Sequence, residues 1–344
     1  MLRKHLLCLL MLCIFTTTTL LAGCGGVKKT EPAKQEKLVM YSAVNAEYMN
    51  KVAAEFEKDT GIKVETERLS AGELVARVRA EKNAPKASVL HGGSADSYIQ
   101  LKEEGLLERY ISPQASAIPA TMKDPAGYWT GIYIGYIGFM SNQKLLVAKG
   151  IPAPSGWNDL LRPELKGQVV ITDPATAGSA YTVLATLVQM NGEEAAMQFM
   201  KNLHAQVKEY PKSSDSAAQM VGTGTAIVGV AFMQDAIRRR EQGLPDIVIT
   251  MPKEGTGYEI GAVGIVKGAP GQDAARKFVD WALSKKAQEI GQSVGSYQYP
   301  TLPAAKSSAA TAAFRDTTKL AIYDFNWAGK NRKQLIDKWN ALTR

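Results

Sequence analysis

The sequence predicts an α/β fold of two lobes joined by crossing hinge strands. From residue 38 onward, segments with the apolar pattern of a strand alternate with segments of helical periodicity. The chain has 344 residues, which is enough for more than one lobe. Two glycine-containing apolar runs, around Gly131 and Gly261, are the candidates for strands that cross from one lobe to the other.

The first 23 residues have the order of features of a secretory signal peptide. Basic residues at positions 3–4 precede an apolar run at residues 6–15, and the small-residue motif LAGC follows at residues 21–24. The apolar run is about half as long as the ~20 residues that a membrane-spanning helix needs. We therefore expect residues 1–23 to be a cleaved leader rather than a permanent membrane segment.

Cys24 closes this motif, which resembles the bacterial lipobox, so we expect Cys24 to be lipidated and to anchor the protein. The alternative is an ordinary signal peptide cut near Ala22. Residues 24–37, rich in Gly, Lys and Glu, read as a flexible tether. The other two cysteines, Cys8 and Cys13, lie in the leader. Disulfides, cysteine zinc sites and a cysteine nucleophile are therefore excluded from the folded part.

The formal net charge is +8, and the leader contributes two of those charges. Basic residues are scattered through the rest of the chain, with one run of three at 238–240. That run lies on a predicted helix and reads as a solvated face, so no nucleic-acid partner is expected. A modest positive excess favours anionic solutes.

Periodicity places the elements along the chain and suggests a parallel sheet. We expect lobe 1 to comprise residues 38–132 plus 260–305, lobe 2 residues 133–259, and a C-terminal helical extension residues 306–344. The expected strands are 38–41, 62–66, 88–90, 131–140, 168–172, 226–231, 247–250 and 262–266, and the expected helices are 45–60, 71–82, 95–104, 157–161, 179–190, 193–203, 233–242, 272–283, 286–291 and 331–342.

Small hydroxyl residues stand at several junctions where a strand gives way to a helix. A helix start exposes unpaired backbone N–H groups and the positive end of the helix dipole, so it suits anions. In open α/β sheets, ligands bind beyond the carboxyl ends of the strands. The alternative for each residue is a simple N-cap. The candidate ligand-binding residues of this kind are Ser42, Ser70, Ser94, Thr176 and Ser179.

A second polar set lies in the later half of the chain. Gln234 and Asp235 follow the strand expected at 226–231, and Glu259 precedes the strand at 262–266. The carboxylates could accept hydrogen bonds from ligand hydroxyls or pair with a ligand amine. The alternative is that Asp235 caps the helix carrying the three arginines.

Enzymatic function is not expected. Beyond the leader the only histidines are His91 and His204, and neither a G-x-S-x-G elbow, a P-loop nor an H-E-x-x-H motif occurs in its proper context. His91, next to Gly92-Gly93, is the best candidate for a general base but has no evident nucleophile partner. A secreted hydrolase and a surface adhesion lipoprotein remain as alternatives from other classes. No cofactor and no metal site are predicted.

Several blocks of sequence from residue 38 to about residue 303 together resemble the solute-binding proteins of ABC importers, in the branch that takes ferric iron, phosphonates and sugar phosphates. The resemblance implies the type II periplasmic-binding fold, whose two lobes close around a solute by hinge motion. The blocks are LVMYS at 38–42, AEFEKDTGIKV at 54–64, GGSAD at 92–96, GYWTG at 127–131, DPA at 173–175 and GTGYEIGA at 255–262.

The chain departs from the iron-binding members at one position. Those members carry an adjacent Tyr-Tyr pair near the strand at 226–231, whereas this sequence has Met233-Gln234-Asp235-Ala236 and no Tyr-Tyr pair anywhere. The resemblance to phosphonate and sugar-phosphate receptors implies that Gln234, Asp235 and Glu259 read the rest of the ligand. It also implies that the phosphoryl group is held by Ser42, Ser94, Thr176 and Ser179.

We therefore expect an exported lipoprotein that captures a small phosphorylated or phosphonate-type anion between its lobes. The alternative within the same class is a receptor for ferric iron or a small carboxylate. The expected partners are an ABC permease and ATPase, with the membrane contacted through the lipid anchor at the periplasmic or extracellular face. The protein is expected to be a monomer.

Overall fold

The computed structural model describes residues 37–315 and 318–343. The predicted leader, the lipidation site Cys24 and the tether up to residue 36 lie outside the described residues. Within the described part, no helix is long and apolar enough to cross a membrane.

Eleven strands are described, and they form one continuous sheet. The longest strand, β5, is buried along its whole length, which fits a strand covered on both faces. The strands are β1 (Lys37–Ser42), β2 (Lys63–Arg68), β3 (Val89–Ser94), β4 (Leu107–Glu108), β5 (Thr130–Asn142), β6 (Val169–Ile171), β7 (Val207–Glu209), β8 (Val228–Phe232), β9 (Ile247–Thr250), β10 (Tyr258–Val266) and β11 (Tyr299–Pro300).

The strand order is β2-β1-β3-β10-β5-β8-β6-β7, with β4 paired to β10 and both β9 and β11 paired to β5. The outer pairs are parallel, as expected for strands joined through helices. The central pairs of β10 with β3, β10 with β5 and β5 with β8 are antiparallel. The expectation of a parallel sheet was therefore wrong for its centre, because the two long strands run against their neighbours.

Strand β5 pairs with different neighbours along its length. Its first part pairs with β10, where Tyr133 lies opposite Gly261, and its last part pairs with β8, where Ile137 lies opposite Phe232. We call β2-β1-β3-β10 with the first part of β5 the first sheet section, and β7-β6-β8 with the last part of β5 the second sheet section. The two sections share β5 as a common strand.

Local signals set the bounds of several helices. The Asn45 side chain accepts a hydrogen bond from Tyr48 N, at 2.8 Å, and caps the first helix. Gly61, with φ of 73°, ends that helix in the left-handed conformation. The helices are α1 (Ala46–Thr60), α2 (Ala71–Ala80), α3 (Ala95–Glu103), α4 (Gln143–Lys149), α5 (Gly178–Asn191), α6 (Glu193–His204), α7 (Ser214–Gly222), α8 (Met233–Glu241), α9 (Gln272–Ala282), α10 (Lys285–Glu289), α11 (Ala309–Arg315) and α12 (Phe325–Thr343).

Apolar side chains form separate clusters on the faces of the sheet. One cluster joins α1 to α9 through the edge-to-face contact of Phe56 with Phe278, whose ring centroids are 5.1 Å apart. A larger cluster contains Tyr181 and Trp339 and covers both sheet sections. Full burial of one such side chain is worth about 1.5–3 kcal/mol. The clusters therefore hold the strand ends, and the helix starts that follow them, in place.

Candidate functional site

Among the described helices of at least nine residues, α3, α5, α6, α8 and α9 begin without a side-chain capping hydrogen bond, and α6 and α9 have glycine at the N-cap. At α3 the N-cap residue is Ser94, which makes no capping hydrogen bond, and at α5 and α8 the N-cap residues are Ala177 and Phe232, which have no acceptor. By contrast, Asn45 caps α1 and Ser70 caps α2. The starts of α3, α5 and α8 therefore lack the side-chain acceptor that normally pairs with first-turn N–H groups.

Ser94 is the most telling of these positions. Its side chain is 2% exposed, and its Oγ has no hydrogen-bond partner within the described residues. A buried hydroxyl without a partner costs about 1–3 kcal/mol. This hydroxyl and the open first turn of α3 together make a place where an acceptor group of a ligand would be stabilised.

The start of α3 lies against the residue that follows β1 and against the start of α2. A Cβ on Gly93 would lie 3.1 Å from the Cβ of Ala43, which follows β1, and 3.9 Å from the Cβ of Ala71, at the start of α2. A Cβ on Gly178, the first residue of α5, would lie 3.7 Å from that same Ala71 methyl. The starts of α3 and α5, one beside each sheet section, therefore meet around Ala71.

Gln234 and Glu259 form a second polar group, on the surface of β5. Gln234 Nε2 donates to Glu259 Oε1 over 3.3 Å, and both side chains are buried. A Cβ on Gly135 would lie 2.7 Å from Gln234 Nε2 and 2.9 Å from Glu259 Oε1. Only a glycine in β5 leaves room for this pair.

The electrostatics of Glu259 are unusual. Burial, reinforced by the nearby carboxylates of Asp235 and Asp96, raises the pKa of Glu259 to about 8, and the hydrogen bond from Gln234 only partly opposes this shift. Glu259 is therefore protonated at neutral pH when the site holds no cation. It can donate a hydrogen bond in that form and can accept one or pair with a cation after losing its proton.

Asp235 lies in the first turn of α8 and is not the cap of that helix. Burial raises the pKa of Asp235, and the neighbouring Asp215 carboxylate adds to the effect. Arg238 counters this, with its Nη2 2.5 Å from Asp215 Oδ1 and 3.6 Å from Asp235 Oδ1. The predicted alternative, a capping role for Asp235, does not match its position.

Tyr133 connects the two polar groups. Gly93 N donates to Tyr133 Oη over 3.1 Å, and the Tyr133 ring lies directly over Gly261 of β10. Burial raises the pKa of the Tyr133 phenol well above its usual value, and Glu259 adds to the shift. Tyr133 therefore contacts the start of α3 and is close enough to Glu259 for the two side chains to interact electrostatically.

The remaining predicted residues have protein partners. Ser42 is fully buried, and its Oγ lies 3.1 Å from His91 Nδ1. Ser70 Oγ accepts from Glu73 N in a capping box. Thr176 is exposed, and Ser179 Oγ lies 2.8 Å from Thr172 Oγ1. Ligand contacts by Ser42, Ser70, Thr176 and Ser179 stay predictions.

His91 is a core residue. Its ring packs edge-on against Tyr48 and Phe278, with centroids 5.6 Å and 5.9 Å away. Burial lowers the pKa of His91 to about 4, so the ring is neutral at physiological pH. Among the described residues, no group of three or more His, Cys, Asp or Glu side chains is arranged to hold a metal ion.

Asp96 was not singled out from the sequence. It is the second residue of α3, is fully buried, and forms an ion pair with Arg332, with 2.5 Å between Arg332 Nη1 and Asp96 Oδ2. Its place two residues after Ser94, in the GGSAD block, was the signal that could have found it. The partner Arg332 lies 236 residues away in the chain and has no comparable signal.

Several known proteins are similar to this chain. A protein of Haemophilus influenzae without an assigned function is 40% identical over 331 residues, covering 94% of this chain and 95% of its own length. Iron uptake protein A1 of Synechocystis is 27% identical and covers 88% of each chain. A candidate 2-aminoethylphosphonate-binding periplasmic protein of Salmonella typhimurium is 28% identical over 240 residues, 68% of each chain.

One solved structure supports the two-lobed fold directly. The periplasmic binding protein AfuA of Actinobacillus pleuropneumoniae, with fructose 6-phosphate bound, superposes with a TM-score of 0.85 at 39% identity. The match covers 89% of this chain and 98% of AfuA. The predicted α/β fold of two lobes is thereby confirmed.

The family assignment follows from a match over most of the chain. Residues 84–331 match the family described as bacterial extracellular solute-binding protein. Members of this kind are transport receptors, which confirms the prediction that the chain is not an enzyme. The chain belongs to the family of bacterial extracellular solute-binding proteins.

Proposed function

We propose that the protein captures a small phosphorylated or phosphonate-type anion and delivers it to the permease and ATPase of an ABC importer. The observation that carries this proposal is Ser94, a buried hydroxyl without a partner at the uncapped start of α3. A phosphoryl oxygen would accept from Ser94 Oγ and from the N–H groups of the first turn. The uncapped start of α5 would face the same anion from the other sheet section.

The far end of the ligand would meet Gln234, Asp235 and Glu259. Gln234 supplies an amide and the two acids supply carboxyl oxygens, so this end suits hydroxyl or ammonium groups rather than a second anion. A protonated Glu259 can donate to a hydroxyl oxygen, and an ionised one can pair with an ammonium. The two ends together fit a compact molecule with one phosphoryl group and several hydrogen-bonding groups.

The names of relatives support this choice. The fructose 6-phosphate in AfuA and the 2-aminoethylphosphonate named for the Salmonella relative each combine one phosphorus-bearing anion with hydroxyl or amino groups. The name of iron uptake protein A1 supports ferric iron as the first alternative cargo. A small carboxylate is the second alternative.

The same proposal includes the cellular setting. Cys24 would be lipidated and would hold the protein at the periplasmic or extracellular face of the membrane as a monomer. Lobe 1 would comprise residues 38–132 plus 260–305 and lobe 2 residues 133–259, hinged on β5 and β10. The pairing of β5 with β10 in the first sheet section and with β8 in the second supports a hinge at that point.

Titration calorimetry on the purified mature protein tests the cargo. The probes are fructose 6-phosphate, 2-aminoethylphosphonate, inorganic phosphate, unphosphorylated fructose, citrate and ferric citrate. We expect binding of a phosphorus-bearing probe and none of fructose. Ferric binding with a visible phenolate absorption band, and no heat from the phosphorylated probes, would contradict the proposal.

A variant pair locates the anion. Ser94→Ala removes one donor to the phosphoryl group and should weaken binding about 10- to 100-fold, the value of a charge-assisted hydrogen bond. The fold should survive, because Ser94 Oγ bonds to no described group. Ser116→Ala, at an exposed serine, is the matched control and should leave the affinity unchanged. Equal affinities for both variants would move the anion away from α3.

A further inference from the structure

The C-terminal helix α12 has one buried face. Ala328, Arg332, Leu335 and Trp339 are spaced by four, three and four residues and are all buried. This spacing places them on one side of the helix. That side packs against α3, which follows β3 of the first sheet section, and against α5 and α6, which follow β6 of the second. One helix therefore contacts structure beside both sections.

Arg332 joins the first turns of α3 and α5. Its Nη1 lies 2.5 Å from Asp96 Oδ2, and its Cζ lies 4.1 Å from the centre of the Tyr181 ring. Asp96 is the second residue of α3, and Tyr181 is the fourth residue of α5. The Tyr181 hydroxyl donates to the carbonyl of Ala328, one turn before Arg332 on α12. The guanidinium thus connects the two uncapped helix starts.

Trp339, two turns further along α12, holds the loop that leads into α5. Its Nε1 donates to Asp173 Oδ1 over 3.1 Å. The same carboxylate accepts from Ala175 N at 2.8 Å, and the Asp173 carbonyl accepts from Ala177 N at 2.9 Å. The loop is therefore folded around Asp173, and Trp339 fixes Asp173 to α12.

The ion pair is poorly suited to stabilising the fold by itself. Arg332 Nη2 and Asp96 Oδ1 are both buried and have no hydrogen-bond partner within the described residues. A buried ion pair repays its desolvation only when the remaining polar atoms are also satisfied. The pair instead holds the start of α3 at a set distance from α5, because Arg332 contacts Asp96 of α3 and the Tyr181 ring of α5.

We propose that α12 is a splint that sets the spacing between the starts of α3 and α5, and that Arg332 and Trp339 are positioning residues for the anion bound there. The inference rests on the proposed function, since the two helix starts are the proposed phosphoryl site. Neither side chain needs to touch the ligand. A shift in the position of either helix start would lengthen or misalign its hydrogen bonds to the anion, and hydrogen bonds weaken steeply outside their normal geometry.

The test uses Arg332→Gln, Asp96→Asn, the double variant that combines these two changes, and Trp339→Phe. Trp339→Phe keeps an aromatic ring but removes the N–H donor together with part of the buried indole volume. Lys333→Gln is the matched control, because Lys333 lies on the exposed side of the same helix, where it pairs with Asp337. Three quantities are measured: Kd for the phosphorus-bearing probe that the wild type binds, melting temperature, and radius of gyration by small-angle X-ray scattering with and without that probe.

We expect Arg332→Gln and Trp339→Phe to weaken binding at least tenfold and to reduce compaction on probe addition. The double variant Asp96→Asn with Arg332→Gln should bind no more weakly than the worse single variant, because both changes break one contact. The control should match the wild type. Folded variants with lower melting temperatures but wild-type Kd would overturn the proposal by making α12 a purely structural helix.

The outcome is separable from that of the proposed function. If the wild type binds none of the phosphorus-bearing probes, the cargo proposal fails, and the splint is judged from scattering without a probe. In that case, Arg332→Gln with the same radius of gyration as the wild type would overturn it. If Arg332→Gln does not fold, Trp339→Phe decides, because it removes the contact with Asp173 and leaves the ion pair of Arg332 with Asp96 in place.

Discussion

Glu259 offers a quantitative test of the electrostatics of the site. Its pKa is raised from 4.5 to about 8 in the folded protein. Between these values the folded protein binds a proton that the unfolded chain releases, so the free energy of unfolding falls as the pH rises from 4.5 to 8. Glu259→Gln places a neutral group of the same shape there and removes this pH dependence.

The size of the effect follows from the width of the pH window. Each pH unit above 4.5 costs the wild type about 1.4 kcal/mol, so the cost at pH 7 is about 3 kcal/mol. Unfolding entropy of about 2 cal/mol/K per residue gives roughly 0.6 kcal/mol/K for a chain of this length. We therefore expect Glu259→Gln to raise the melting temperature by about 5 °C at pH 7 and by almost nothing at pH 4.5.

Differential scanning calorimetry without ligand at pH 4.5, 6, 7 and 8 measures this difference. The matched control is Glu194→Gln, because Glu194 is exposed on the surface of α6. Its melting temperature should follow that of the wild type at every pH. A constant difference between Glu259→Gln and the wild type across the range would refute the assignment of a raised pKa to Glu259.

Two other predictions concern packing around the site. Gly135→Ala should weaken probe binding more than tenfold and leave the circular dichroism spectrum unchanged. The new Cβ would lie 2.7 Å from Gln234 Nε2 and would displace the amide. An unchanged Kd would mean that the pair of Gln234 and Glu259 is not part of the site. Ser42→Ala should lower the free energy of unfolding by about 1 kcal/mol through loss of the contact with His91, measured by urea unfolding. If Ser42 also holds the phosphoryl group, as the sequence predicts, the same variant should weaken probe binding about tenfold, and an unchanged Kd would remove Ser42 from the site.

Local signals made many elements predictable. The expected helix at 45–60 matches α1 closely because Asn45 and Gly61 mark both ends within the chain itself. The last helix was expected to begin at residue 331 but begins at Phe325. Phe325 packs edge-on against Tyr258 and Tyr323, with ring centroids 5.2 Å and 4.7 Å away, and such contacts have no local signature.

Strand direction and site geometry were harder to predict from the sequence. Helical connections suggest parallel neighbours, yet β10 pairs antiparallel with the first part of β5, and β8 pairs antiparallel with its last part. The hydroxyl at Ser94 and the one at Ser70 looked alike in sequence. Only the fold shows that Ser70 Oγ accepts a hydrogen bond from Glu73 N, whereas Ser94 Oγ has no described partner.

The sharing of β5 by both sheet sections has a consequence for how the protein unfolds. A receptor with two independent lobes could lose one lobe and keep the other. Here the loss of either section would strip hydrogen-bonded neighbours from a strand whose 13 residues are all buried. Partial unfolding would therefore expose apolar side chains and unpaired backbone groups of β5 on the surviving half. We therefore expect the two sheet sections to unfold together in one cooperative transition.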